Sequence, residues 1–129
     1  MPMLLVVDDD PLVQQLLKDL LHHAGYEVEL ASDGVEGLAC CARRRYGLVI
    51  VDLMMPNKDG LAMIEELRRI DPGAKILALS GWMPDKVDLL NAAAKLGADD
   101  VSQKPFHVPV FLNKVQRLLN GGPAERDRP

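Results

Sequence analysis

The feature that most constrains this chain is a fivefold alternation between short apolar segments and segments with helical spacing. Three of the short segments are apolar throughout, which is typical of strands covered on both faces in a parallel sheet. They are Met3–Val7, Leu48–Val51 and Ile76–Leu79. Tyr26–Ala31 alternates apolar and polar residues, as an edge strand does, and Asp100–Ser102 is a weaker fifth strand.

Five segments predict helices, and the first has the clearest signals. It covers Pro11–Ala24, with Asp10 as the N-cap and Gly25 as the stop. Its predicted buried stripe consists of Val13, Leu16, Leu17, Leu20 and Leu21. The other predicted helices are Val35–Arg45, Leu61–Ile70, Val87–Leu96 and Val108–Leu119.

This order predicts an α/β fold, because right-handed crossovers place helices on both faces of a five-stranded parallel sheet. In such sheets, binding and reacting residues collect at the carboxyl ends of the strands. The 129 residues suit a single domain. We expect that domain to span residues 1–120, followed by a short flexible tail over residues 121–129.

The charge balance argues against nucleic acid and membrane partners. Fifteen Lys and Arg against 19 Asp and Glu give a net charge of −4, the wrong sign for a phosphate backbone or an anionic membrane. No apolar run approaches the roughly 18 residues of a membrane helix, and no signal peptide is recognisable. Adjacent Cys40 and Cys41 indicate reduced thiols. We therefore expect a cytoplasmic protein.

Acidic, hydroxyl and basic residues come directly after the predicted strands. Asp8 and Asp9 follow the first strand, Asp52 the third, Ser80 the fourth and Lys104 the fifth. Ser80 comes 28 residues after Asp52, and Lys104 comes 24 residues after Ser80, each close to one strand-helix unit. This spacing predicts that the side chains converge at one edge of the sheet.

Converging carboxylates repel one another, and a hard divalent cation such as Mg²⁺ relieves the repulsion. Together with a hydroxyl and an ammonium group, they would suit phosphoryl transfer, in which an aspartate can act as the nucleophile. Taken singly, Ser80 could be a turn residue, Lys104 a surface lysine, and Asp8 and Asp9 charges favoured by a helix dipole. Asp52 has no such simple explanation, because no helix starts near it.

Six motifs, occurring in this order, together resemble the receiver domain of bacterial two-component response regulators, and the resemblance extends from about Met3 to Leu119. They are Leu5-Val6-Val7-Asp8-Asp9-Asp10, Leu48-Val49-Ile50-Val51-Asp52-Leu53-Met54-Met55-Pro56, Asp59-Gly60, Ala78-Leu79-Ser80-Gly81, Gly97-Ala98-Asp99-Asp100 and Lys104-Pro105-Phe106. The resemblance implies a flavodoxin-like three-layer (βα)5 sandwich with strand order 2-1-3-4-5.

The resemblance also implies a role for each residue of the site. Asp52 would be the phosphoacceptor, Ser80 the switch hydroxyl and Lys104 the lysine that binds the phosphoryl group. The implied ligands of Mg²⁺ are Asp9, Asp52, the backbone carbonyl of Met54 and, through a water molecule, Asp8. Two positions depart from the family pattern. Val101 stands where an aromatic ring is usual, and Trp82 is unusually bulky two residues beyond Ser80.

A receiver domain takes its phosphoryl group from the phosphohistidine of a histidine kinase or a histidine phosphotransfer protein. It then changes conformation and signals to a downstream protein target. The resemblance therefore implies no enzymatic activity beyond self-phosphorylation and self-dephosphorylation. The net charge and the short apolar runs predict no direct binding of nucleic acid and no membrane insertion.

Two other classes stay open on the residues alone. A haloacid-dehalogenase-like Mg²⁺ phosphohydrolase also uses an aspartate nucleophile, and Asp8 and Asp10 fit its Asp-x-Asp-x-Thr pattern, but Leu12 stands where the threonine belongs. A flavodoxin-like flavin-binding module needs a phosphate loop rich in Ser, Thr and Gly after the first strand. This chain has aspartates there.

Overall fold

The computed structural model describes residues 3–53, 60–80, 87–103 and 107–120, in which strands and helices alternate. The strands are β1 (Met3–Val7), β2 (Glu27–Ala31), β3 (Leu48–Asp52), β4 (Ile76–Ser80) and β5 (Asp100–Gln103). The helices are α1 (Pro11–His23), α2 (Gly34–Arg43), α3 (Gly60–Ile70), α4 (Val87–Leu96) and α5 (Val108–Leu119). All strand pairs are parallel, in the order β2-β1-β3-β4-β5. The predicted fold class and strand order are confirmed.

The sheet is covered by helices on both faces, because its central strands are apolar throughout. On one face, Leu17 of α1 and Phe111 of α5 pack against side chains of β1, β3 and β4. On the other face, Met63 of α3 and Ala93 of α4 pack against the alternate side chains of the same strands. Two cores separated by one sheet hold the strands rigidly and fix where their carboxyl ends lie.

Helix α1 has the predicted cap but a narrower buried stripe. A carboxylate oxygen of Asp10 accepts a hydrogen bond from the N–H of Leu12 at 2.9 Å. Leu17 and Leu21 are fully buried. The prediction that Leu16 shares their stripe is wrong, since its side chain is 58% exposed. At about 100° per residue, Leu16 is turned away from the face that Leu17 and Leu21 share.

Several element boundaries differ from the predicted ones by one or two residues. Helix α2 was expected to reach Arg45 but ends at Arg43, because the next residue, Arg44, has an extended backbone (φ −155°, ψ 162°). Asp52 and Ser80, predicted to follow their strands, are the last residues of β3 and β4. Both therefore have backbones fixed by the sheet.

Charged side chains make contacts at both outer strands of the sheet. Glu29 of β2 accepts hydrogen bonds from Arg44 at 2.8 Å and from the hydroxyl of Tyr46 at 2.6 Å. At the other edge, the ammonium group of Lys114 on α5 donates a hydrogen bond to the backbone carbonyl of Val101 on β5.

At the amino edge of the sheet, the guanidinium group of Arg68 on α3 contacts two neighbouring segments. One precedes β4, and the other lies between α4 and β5. The guanidinium group donates to the carbonyl oxygen of Gly97 at 2.6 and 3.1 Å and to those of Pro72 and Ala74, both at 2.7 Å. It also forms an ion pair with Asp99 at 2.9 Å. The planar donor fork of arginine suits such a convergence of acceptors, and Arg68 thereby fixes the ends of α3 and α4.

Gly60 starts α3 in direct contact with the end of β3. A Cβ atom at this position would lie 2.4 Å from the carbonyl oxygen of Asp52 and 2.6 Å from the Cα atom of Leu53. Because both are backbone atoms, they could not move aside without displacing the strand end. Only glycine lets the helix begin so close to Asp52.

We therefore expect Gly60→Ala to lower the free energy of unfolding by about 1–3 kcal/mol, the usual range for overpacking. Gly73→Ala is the matched control, because the nearest atom to a Cβ there is a carboxylate oxygen of Asp71 at 3.7 Å. Urea unfolding of both variants measures the difference. Equal stability of the two variants would contradict this account of Gly60.

Candidate functional site

Strand register brings two aspartates level with each other at the carboxyl edge. Val7 of β1 pairs with Val51 of β3, so the following residues, Asp8 and Asp52, are neighbours. Both are buried, with exposed fractions of 1% and 4%, whereas Asp9 is exposed. One carboxylate oxygen from each of these three aspartates lies within 4.8 Å of those of the other two. The structure thus brings together the three predicted carboxylates.

The backbone around Asp8 is fixed by hydrogen bonds. Its N–H donates to the carbonyl oxygen of Ala31 at 3.1 Å, which extends the β1–β2 pairing by one residue. Its carboxylate accepts from the N–H of Asp10 at 2.9 Å. The first aspartate of the cluster therefore has a defined backbone position and a defined side-chain contact.

Ser80 lies at the same edge of the sheet. Asp52 pairs with Leu79 of β4, so Ser80 stands one residue beyond the level of Asp52, and it is buried. Met54, Trp82 and Lys104 lie outside the described residues, and the roles expected for them stay predictions.

Val101, at the position where the family often has an aromatic ring, pairs with Ala78 in the sheet. It is partly buried and packs against the core on the α3 side. A β-branched side chain has little rotameric freedom. Val101 is therefore a packing residue in this structure, with no ring to move.

The carboxylates of Asp8, Asp9 and Asp52 lie close enough for like charges to repel one another. Two unit charges 4 Å apart repel by about 1 kcal/mol in water and by about 4 kcal/mol at the effective dielectric of a protein surface. Burial of two of the carboxylates removes solvent that would screen the charges. Carboxylate oxygens are hard ligands, which divalent cations such as Mg²⁺ prefer. The donor set therefore fits the cation predicted from the sequence.

A surface cavity of about 450 Å³ lies away from this cluster, at the ends of α2 and α3. Its lining includes Cys41, Arg45 and Ile70 and none of the clustered aspartates. Burial, with smaller effects of Cys40 and Asp71, raises the pKa of the Cys41 thiol to about 11. Cys41 is thus protonated at neutral pH and a weak nucleophile.

None of the helices in the described ranges combines the length and the apolar character that crossing a lipid bilayer requires.

Fold and site together define a flavodoxin-like α/β protein with a cluster of three carboxylates at the carboxyl edge of its sheet. Residues 4–116 match the family model of the response regulator receiver domain. The chain belongs to this family, and it is a receiver domain of response regulators. The match favours neither the phosphohydrolase nor the flavin-binding alternative.

Curated relatives with similar sequences are response regulators. The chain is 37% identical over 123 residues to the DNA-binding dual master transcriptional regulator RpaA of Synechocystis, covering 92% of this chain and 49% of RpaA. It is 40% identical over 116 residues to the response regulator MprA of Mycobacterium leprae, covering 90% of this chain and 50% of MprA. The chain thus spans about half the length of these relatives.

Solved structures of receiver domains superpose closely on this one. The response regulator TrrA of Thermotoga maritima, in complex with Mg²⁺-BeF, aligns with a TM-score of 0.82 and 35% identity, covering 92% of this chain and 99% of TrrA. The receiver domain of the Francisella response regulator 1452 aligns with a TM-score of 0.85 and 29% identity, covering 94% and 98%.

Two residues that support the site were not assigned a role from the sequence. Gly60 was part of a motif, but its contact with the end of β3 needs the third dimension to be recognised. Gln14 contacts the backbone of Asp8. The sequence did contain a signal for Gln14. It stands three residues before Leu17 and seven before Leu21, and so lies on the same face of the helix as these buried leucines. A polar residue on a buried face indicates a specific hydrogen-bond partner.

Removing one charge from the cluster should raise the thermal stability of the metal-free protein and weaken its binding of Mg²⁺. We expect Asp9→Asn to raise the melting temperature of the metal-free protein, because repulsion falls, and to reduce the further rise caused by excess Mg²⁺. Asp19→Asn is the control, since Asp19 is an exposed residue of α1 that accepts a hydrogen bond from Gln15. Thermal melts with and without Mg²⁺ measure both effects. An unchanged response to Mg²⁺ in Asp9→Asn would contradict the assignment of the cluster.

Proposed function

We propose that this receiver domain accepts a phosphoryl group on Asp52 in a Mg²⁺-dependent reaction. The main support is the convergence of the carboxylates of Asp8, Asp9 and Asp52 within 4.8 Å at the end of β3, in a chain of the receiver family. Of the three, Asp52 stands on the central strand of the sheet and is held in the β3–β4 pairing. A fixed, desolvated carboxylate is well placed to act as a nucleophile.

Each residue proposed to act with Asp52 has a separate role in the transfer. A carboxylate oxygen of Asp52 forms a bond to phosphorus while the N–P bond of the donor phosphohistidine breaks. The hydroxyl of Ser80 donates a hydrogen bond to the transferred group, and the ammonium of Lys104 neutralises its charge. Bound Mg²⁺ supplies positive charge beside the phosphoryl oxygens. It would be held by Asp9, Asp52, the backbone carbonyl of Met54 and, through a water molecule, Asp8.

We assign residues 1–120 to the domain, whereas the tail predicted over residues 121–129 lies outside the described residues. The phosphodonor is a histidine kinase or a histidine phosphotransfer protein in the cytoplasm, and the output is a changed affinity for a downstream protein.

RpaA, the relative described as DNA-binding, is about twice as long as this chain. The net charge of −4 does not favour DNA binding by this chain. Self-phosphorylation and self-dephosphorylation are the only reactions we assign.

Asp52 should be the single phosphorylation site. Incubation with Mg²⁺ and acetyl phosphate should add one phosphoryl group, measured by intact mass and labile to hydroxylamine, as an acyl phosphate is. Asp52→Ala should abolish the addition, whereas Asp19→Ala, an exposed aspartate outside the cluster, should retain it. Equal phosphorylation of Asp52→Ala on Asp8 or Asp9 would instead favour the phosphohydrolase alternative.

The start of α1 offers a docking surface for the phosphodonor protein. Leu12 is 81% exposed, and Leu16, one turn further, is also on the outer face of the helix. Val108 and Val110, at the start of α5, are exposed apolar residues on the same side of the sheet. Both helices begin at the edge that carries Asp52. A donor that brings phosphorus to Asp52 would approach this edge, and burial of these apolar residues against it would stabilise the complex.

We expect Leu12→Ser to slow transfer from a phosphorylated histidine phosphotransfer protein about 10-fold, since losing one well-buried contact costs about 1.4 kcal/mol or more. Phosphorylation by acetyl phosphate should not change, because this small donor needs no docking surface. Ile70→Ser is the control, because Ile70 is as exposed as Leu16 but lies at the opposite edge of the sheet. Equal slowing with both donors would place the defect in the reaction and would contradict docking at α1.

A further inference from the structure

Gln14 connects helix α1 to the ends of two strands beside the acidic cluster. Its side-chain amide nitrogen donates to the backbone carbonyl of Asp8 at 2.6 Å and to that of Ala31 at 3.1 Å. The hydroxyl oxygen of Ser32 lies at 3.4 Å from the same nitrogen. Since the amide carries two hydrogens, the two nearer carbonyls are its main acceptors.

These hydrogen bonds complete the support of Asp8. The N–H of Asp8 already donates to Ala31, and its carboxylate accepts from the N–H of Asp10. With Gln14 bound to its carbonyl oxygen, the N–H, the carbonyl and the side chain of Asp8 are all held by specific contacts. Repulsion from Asp9 and Asp52 tends to drive Asp8 away from the cluster, and this network opposes that movement.

We propose that Gln14 is a positioning residue for the Mg²⁺ site, an inference that rests on the proposed function. It holds the backbone of Asp8 so that the three carboxylates stay together before the cation arrives. Binding then requires little rearrangement, because the cluster is assembled during folding. Gln14 is uncharged, so it supports the cluster without offering the carboxylates a competing cation.

The test replaces the amide and keeps the shape of the side chain. Gln14→Met retains length and helix propensity but removes both donors, and Gln14→Leu removes them with a different shape. Gln15→Met is the matched control, because Gln15 is the neighbouring residue and its amide donates to exposed Asp19 at 2.8 Å. Mg²⁺ and Ca²⁺ affinities are measured by calorimetry on the full chain, and the unfolding free energy is measured by urea in the presence of a chelator.

We expect Gln14→Met and Gln14→Leu to weaken Mg²⁺ binding about 10-fold, in the range found when residues that orient metal ligands are replaced. Ca²⁺ affinity should fall less, because Ca²⁺ tolerates irregular geometry and Mg²⁺ demands near-octahedral ligands. The preference for Mg²⁺ over Ca²⁺ should therefore decrease, whereas Gln15→Met should bind both cations as the wild type does.

A purely structural role for Gln14 would lower the unfolding free energy and leave both metal affinities and their ratio unchanged, and that result would overturn the inference. A different outcome would reject the proposed function itself: wild type and Gln15→Met would then fail to bind Mg²⁺ at all. The control variant thus separates the two failures.

Discussion

Mutual repulsion among three carboxylates at the carboxyl edge of the sheet is the constraint to which the rest of the structure responds. Asp8, Asp9 and Asp52 present oxygens within 4.8 Å of one another, and two of the three are buried. Like charges at this distance destabilise the fold unless a cation joins them or rigid surroundings hold them. A divalent cation at the cluster would relieve the same repulsion, so that the proposed chemistry is tied to a local cost in stability.

The scaffold meets this constraint by fixing the backbone of the aspartates. Asp52 is the last residue of a strand buried on both faces, and Gly60 allows α3 to pack directly against it. Asp8 is held through Ala31 and Gln14. At the opposite edge, Arg68 fixes the ends of α3 and α4 to the sheet. Packing and backbone contacts therefore contribute to holding the aspartates in place.

Much of the fold and part of the site could be predicted from the sequence, for physical reasons. Strands that are apolar throughout can bury both faces only between two layers of helices, so the order of elements predicted the fold class. The family motifs predicted the strand order. Asp8, Asp9 and Asp52 were found because each follows or ends an apolar run. Leu16 was misplaced because helical spacing alone does not fix the centre of the buried face. Gly60 escaped notice because its close neighbours are backbone atoms of β3, which carry no sequence signal. Gln14 was overlooked although it lies on the buried face of α1, where a polar residue needs a specific partner.

The charged side chains at the outer strands limit how this domain can associate with other proteins. An uncovered outer strand presents unpaired amides and carbonyls, to which an extended segment of another chain can add as a further strand. At β2, the side chain of Glu29 is engaged by Arg44 and Tyr46, and at β5 the ammonium group of Lys114 occupies the carbonyl of Val101. Charged side chains at the outer strands disfavour the addition of a further strand. Recognition by partners is thereby directed to the helical faces, whose side chains can differ among receiver domains while the sheet between them stays the same.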